Sequence, residues 1–143
     1  MFIGEYQHNI DDKGRLAVPV KFRARLSKGA VVTRGLDGSL FLYPLEEWKS
    51  LADRLSKLSI AKSNTRAFAR LMLAGAMDVQ LDRQGRVVLP EYLRHYAKIA
   101  KQVILAGLYN RIELWDKAAW QRYTAATEKK SGDIAEQLTD LGV

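Results

Sequence analysis

Two arginines stand where folding alone has little use for them. Arg15 and Arg86 each follow a glycine, Gly14 and Gly85, at the end of an Asp-x-x-Gly run that begins at Asp11 and Asp82. Asp at the first position and Gly at the fourth suit a type I turn at a hairpin tip. The strand that begins there would accept Thr or Val more readily than Arg. A planar guanidinium on such a tip can bind phosphate bidentately, or read O6 and N7 of guanine in the major groove, which admits a two-stranded ribbon. Lys13 and Arg83 add a second cation to each tip, one position out of register with each other. The plainer account is an ion pair across each turn, Arg15 to Asp11 and Arg86 to Asp82, and an exposed pair of that kind contributes only about 0–1 kcal/mol. The two accounts are compatible, because a carboxylate can orient a guanidinium that also faces a ligand.

Other chemistry finds less support. Asp11 and Asp82 could in principle act as acid and base or hold a divalent cation, but the turn itself explains an aspartate whose side chain bonds backbone amides beyond it. His8 and His95 do not occupy corresponding positions, and His8 falls on the inward side of a strand pattern, as a packed or edge residue would. There is no His-x-x-x-His, His-Glu-x-x-His or Walker-type phosphate loop. Cysteine is absent, which removes disulfides, thiolate metal sites and cysteine nucleophiles. No enzyme, metal or cofactor is expected. Trp48 and Trp120 lie on apolar helix stripes and read as packing residues, and no array of exposed aromatics suggests a single-strand or RNA binder.

The elements that must position these residues come twice. Residues 10–19 align with 81–90 at an offset of 71, with Asp, Gly, Arg and Pro coinciding. Gly4 matches Gly75 and Arg23 matches Arg94; after one inserted residue, Leu42 matches Leu114, Tyr43 matches Trp115, and Trp48 matches Trp120. Each copy is too small to build a core readily, so the halves, 1–73 and 74–143, are expected to share one. Within each, period-two alternation predicts a strand near 6–10 and 77–81. A second strand follows the turn at 15–18 and 86–89, then Pro19 or Pro90 opens a short helix. Strands are expected at 30–34 and 40–43, and at 102–105 and 112–115. A helix from Pro44 to about Leu58 carries Leu45, Trp48, Leu51 and Leu55 on one stripe. Further helices are predicted over 64–72, 117–128 and 133–141.

The 143 residues carry 48% hydrophobic and 27% charged side chains, an ordinary globular balance for one domain or two very small halves. The longest uncharged apolar run, 71–77, cannot cross a bilayer, and the opening residues lack a basic region followed by an apolar core, so neither a membrane span nor a signal peptide is expected. The expected location is the cytoplasm. The net charge is +7. Its distribution is uneven: residues 1–71 hold 13 basic and 7 acidic side chains, whereas 72–143 hold 10 and 9. Lys13, Arg15, Lys21, Arg23, Arg25, Lys28 and Arg34 form the densest stretch, a field that favours a polyanionic partner.

The opening Met1-Phe2-Ile3-Gly4-Glu5-Tyr6, the doubled Asp-x-x-Gly-Arg with its following proline, and the Trp-bearing helix after each copy resemble the MraZ family of bacterial transcriptional regulators. One copy alone would suggest only the wider AbrB-like, swapped-hairpin class. The resemblance implies an α+β fold with a mainly β core. Two AbrB-like half-units, about 5–47 and 76–119, would form a pseudo-dimeric barrel, each followed by helices. It further implies a sequence-specific binder of double-stranded DNA that represses its own division and cell-wall operon. Such a protein would recognise promoter direct repeats, associate with the nucleoid and assemble into a ring-like homo-oligomer. The DNA-contacting face would comprise Lys13, Gly14 and Arg15 with Arg83, Gly85 and Arg86, oriented by Asp11 and Asp82. The alternative within the same class is an antitoxin-like module that binds a protein.

Overall fold

Alternation along the first strand sets the pattern for the whole. In the computed structural model, which describes residues 1–142, β1 (Phe2–Asn9) turns Phe2, Tyr6 and His8 inward and leaves Ile3, Glu5, Gln7 and Asn9 exposed. After the Asp-x-x-Gly turn come β2 (Arg15–Ala17), α1 (Val20–Arg23) with a tighter 3₁₀ turn (Ala24–Leu26), β3 (Ala30–Arg34), β4 (Leu40–Pro44) and α2 (Leu45–Ser56). Next, α3 (Ser63–Ala69) runs into a π-helical turn (Arg70–Ala74). The second copy then supplies β5 (Met77–Val79), β6 (Arg86–Val88), α4 (Glu91–Tyr96), β7 (Gln102–Tyr109), β8 (Ile112–Asp116), α5 (Lys117–Lys129) and α6 (Ser131–Gln137). Proline precedes α1, α2 and α4, in each case immediately before the first helical residue.

The strands form a six-stranded sheet in the order β1-β7-β8-β4-β3-β5 and a separate two-stranded ribbon, β2-β6. All the pairs are antiparallel. Each copy lends its first strand to the third strand of the other: β1 lies along β7 from Phe2↔Tyr109 to Asn9↔Gln102, and β5 along β3 from Val32↔Met77 to Ala30↔Val79. The two fourth strands meet in the middle, Leu40 opposite Leu114 and Leu42 opposite Ile112. The ribbon is also shared, with Leu16 opposite Val87. One buried cluster therefore draws Phe2, Leu16, Phe22 and Leu42 from the first copy and Val87, Leu93, Leu105 and Leu114 from the second. A smaller cluster on the other side packs Phe41, Tyr43, Leu55 and Met72 against Trp48 and Leu51 of α2. Trp115 meets Trp120 at 5.3 Å and Tyr123 at 5.0 Å beneath α5. Both helix tryptophans are thus packing residues.

Three expectations change. The sheet is open: no pairing joins β1 to β5 among the described residues, and these are its two edges where the resemblance implies a barrel. Each first strand is taken up by one neighbour, and β2 and β6 pair with each other without bridging the sheet edges. The hairpin foreseen within each copy shrinks to a single bridge, Ile10↔Leu16, in the first, and the ribbon partner comes from the other copy. Element lengths also shift. β1 starts at Phe2 and β7 runs on to Tyr109 because the two strands pair throughout, whereas β5 stops at Val79 and α2 at Ser56.

Candidate nucleic-acid interface

The tips are built by their aspartates. Asp11 Oδ1 accepts the backbone N–H groups of Lys13 at 3.0 Å and Arg15 at 2.8 Å, while its carbonyl accepts the N–H of Gly14 at 3.0 Å. Asp82 repeats the arrangement with Gln84 and Arg86, both at 2.9 Å, and with Gly85 at 3.0 Å. Gly14 and Gly85 have φ of 80° and 74°, a left-handed conformation that a residue with a Cβ adopts only under strain. The second carboxylate oxygen takes the arginine: Arg15 Nε donates to Asp11 Oδ2 at 2.6 Å, and Arg86 Nε to Asp82 Oδ2 at 2.9 Å. The Arg15 backbone N–H, with its guanidinium and the Lys13 N–H behind it, holds Asp11 below the usual carboxylate range. The Arg86 N–H, its guanidinium and the Gln84 N–H do the same for Asp82.

Each tip is then tethered to the other copy. The Gly14 carbonyl accepts the Leu89 N–H at 2.7 Å, and the Gly85 carbonyl accepts the Val18 N–H at 2.9 Å. Over each glycine lies an arginine from the opposite short helix. A Cβ on Gly14 would come within 3.2 Å of the Arg94 side chain, and one on Gly85 would run into the Arg23 guanidinium. Arg23 Nε is fixed by the Val18 carbonyl at 2.8 Å and Arg94 Nε by the Leu89 carbonyl at 3.0 Å. The two glycines are consequently buried. Arg23 and Arg94 are residues that sequence reasoning left unassigned; their matched places in the repeat were the signal.

The ribbon presents the arginines together. Leu16 and Val87 face the core, so alternation puts Arg15, Ala17, Arg86 and Val88 on the outward face. Arg15 lies opposite Val88 and Arg86 opposite Ala17. The two arginines are therefore diagonal neighbours, about 7–8 Å apart from Cα to Cα across the ribbon. Their side chains are 35% and 28% exposed. Among the described residues each guanidinium is bonded through Nε alone, which leaves its terminal N–H groups without a protein partner. Lys13 and Arg83 are exposed at the two tips, alongside Asp12 and Gln84.

Much of the remaining basic stretch is engaged elsewhere. Arg25 stacks on Phe2 at 4.8 Å and faces Glu47 at 3.7 Å, Lys21 lies over Tyr6 at 5.4 Å, and Arg34 lies against Tyr92 at 5.9 Å. His8 is half-buried in β1 and His95 is exposed on α4. Among the described residues no cluster of three or more His, Asp or Glu is placed to hold a metal, and no helix is long and apolar enough to cross a membrane.

Comparison with known proteins gives a consistent result. The family model described as "MraZ protein, putative antitoxin-like" matches the chain twice, over residues 1–71 and 72–141. The chain is 48% identical to the Transcriptional regulator MraZ of Pediococcus pentosaceus, 46% to that of a Thermoanaerobacter species and 43% to that of Caldanaerobacter subterraneus subsp. tengcongensis, in each case over 100% of both chains.

Proposed function

The chain belongs to the MraZ family of transcriptional regulators, and from that membership we propose that it binds double-stranded DNA sequence-specifically through the shared ribbon and its two tips. The observation that carries this reading is the position of Arg15 and Arg86 on one outward face of the ribbon, each held by an aspartate on Nε with its terminal N–H groups free of protein partners among the described residues. That is a pre-oriented pair of forks for guanine edges or phosphates. Lys13 and Arg83 supply phosphate contacts from the tips. Gly14 and Gly85, being buried, enter this reading as the residues that make the turns. Asp11 and Asp82 orient the arginines. In keeping with the family resemblance, the protein represses its own operon from the nucleoid and assembles as a ring-like homo-oligomer, in which several weak tips on one duplex gain by effective concentration.

The test is a mobility-shift assay on the DNA upstream of the protein's own coding sequence, run over a salt series. Affinity should fall steeply with salt, as it does when cationic side chains displace condensed counterions. Arg15→Ala should weaken binding by about 1–3 kcal/mol and relax specificity. A loss below about 0.5 kcal/mol with specificity intact removes Arg15 from the site. The family description also carries an antitoxin-like reading. Capture of a protein in fixed stoichiometry, with no affinity for that DNA, would favour it.

A further inference from the structure

Val88 is an apolar side chain in charged company. It is 53% exposed, on the same ribbon face as the two arginines, with Arg15 directly opposite and Arg86 two residues before it on its own strand. An open cleft lined by Met77, Val79 and Pro90 runs beside it and leaves it reachable from outside. The matched position in the first copy is Ala17, which stands opposite Arg86 and presents only a methyl group. The ribbon is thus pseudo-symmetric in its arginines and asymmetric in the apolar groups facing them. Strand preference accounts for a β-branched residue in β6. It does not account for one left half-exposed on the face that carries both arginines.

On the DNA-binding reading above, on which this inference rests, both arginines meet base edges or phosphates in a groove. The apolar feature that bases display in the major groove is the C5-methyl of thymine. We infer that Val88 packs on a thymine methyl beside the base met by Arg15, and that the ribbon therefore reads its duplex in one direction. Directly opposed strand residues stand about 4.5–5.5 Å apart, and bases along one strand are spaced by about 3.4 Å. The thymine accordingly lies within one or two base pairs of the Arg15 contact. Ala17, shorter by two methyl groups, offers a smaller apolar surface at the other end.

The probe is a duplex enriched from a random 20-base-pair library by the intact protein, then remade with uracil in place of one thymine at a time. The wild-type protein should lose about three- to fivefold in affinity at one thymine, the effect of one buried methyl group. Val88→Ala should bind the thymine duplex as weakly as the wild type binds the uracil duplex, and should no longer distinguish the two. Val88→Thr, of nearly equal volume, keeps one γ-methyl and should retain part of the discrimination, which guards against a packing defect in the alanine variant. The inference is overturned if Val88→Ala keeps the wild-type thymine-to-uracil ratio, or if no thymine is sensitive. In either case the enriched duplex is still bound, so DNA binding itself stands. Failure to enrich any duplex removes both readings together.

Discussion

β1 lies along β7 over all eight of its residues, whereas its counterpart β5 lies along β3 over three. The repeat places Leu73 and Ala74 where β1 has Phe2 and Ile3, and those residues instead belong to the π-helical turn that joins α3 to the sheet. Thr33 Oγ1 pins that turn by donating to the Met72 carbonyl at 2.6 Å. A covalent connection has therefore pulled half a strand off one sheet edge. At the tips the two copies differ far less: the aspartate, glycine and arginine bonds agree to within 0.3 Å. Duplication has kept the backbone geometry of the turns while letting their charges drift. The first tip sets Asp12 beside Lys13, and the second sets Arg83 beside Gln84. The more basic copy overall thus carries the less basic tip.

The sharpest way to break this comparison is at the outer strands. Phe2 is fully buried, and Phe2→Ala should cost about 3–5 kcal/mol in chemical denaturation. Leu73, at 36% exposed, should cost about 1 kcal/mol or less on replacement by alanine. Equal costs would mean that Leu73, in its turn, is as firmly seated as Phe2 in β1. At the ribbon the expectation is the reverse, near-equality. Arg15→Ala and Arg86→Ala should each weaken specific DNA binding by about 1–3 kcal/mol, and the double variant should lose less than the sum, because diagonal neighbours couple. Tip cations come next: Lys13→Ala and Arg83→Ala should each lower the slope of log affinity against log salt by about 1. If Arg83 alone moves the slope, Asp12 is neutralising Lys13 at the first tip.

The smallest effect is in acid. Both tip aspartates are held below the usual carboxylate value of 3.8 by the backbone N–H groups and guanidiniums they accept. A depressed carboxylate contributes stability that is fully present above its unfolded value and is lost as pH falls through its folded one. The turns should therefore be indifferent to pH between about 5 and 8, where an unperturbed aspartate is already ionised. Carbon-detected NMR of the two carboxyl groups should give midpoints below 3.8 for both. A midpoint above that value at one tip alone would show that the backbone N–H groups and the guanidinium do not hold that carboxylate in solution.

Much of this arrangement is legible in the chain itself. The period of two in β1, the Asp-x-x-Gly signature, and the prolines before the short helices are local effects, and local patterns report them. Partner choice is another matter. Leu16 alternates with Arg15 and Ala17 in the same way whether β2 pairs with β1 or with β6, so the exchange of strands between copies leaves no trace in either copy's periodicity. The shortening of β5 is equally silent, because Leu73 is as apolar as Phe2 and only the preceding helix decides where it goes. At the site, the carboxylate-guanidinium pairs follow from the turn. The burial of Gly14 and Gly85 depends on Arg94 and Arg23, which arrive from 80 and 62 residues away.

Those crossed tethers have a temporal side. Neither loop can be completed from its own copy, since the carbonyl of Gly14 waits for Leu89 and that of Gly85 for Val18. At the usual pace of about 5–20 residues per second, the ribosome releases the first copy several seconds before the second exists. For that interval the newborn chain carries a half-made ribbon and an unpaired β1.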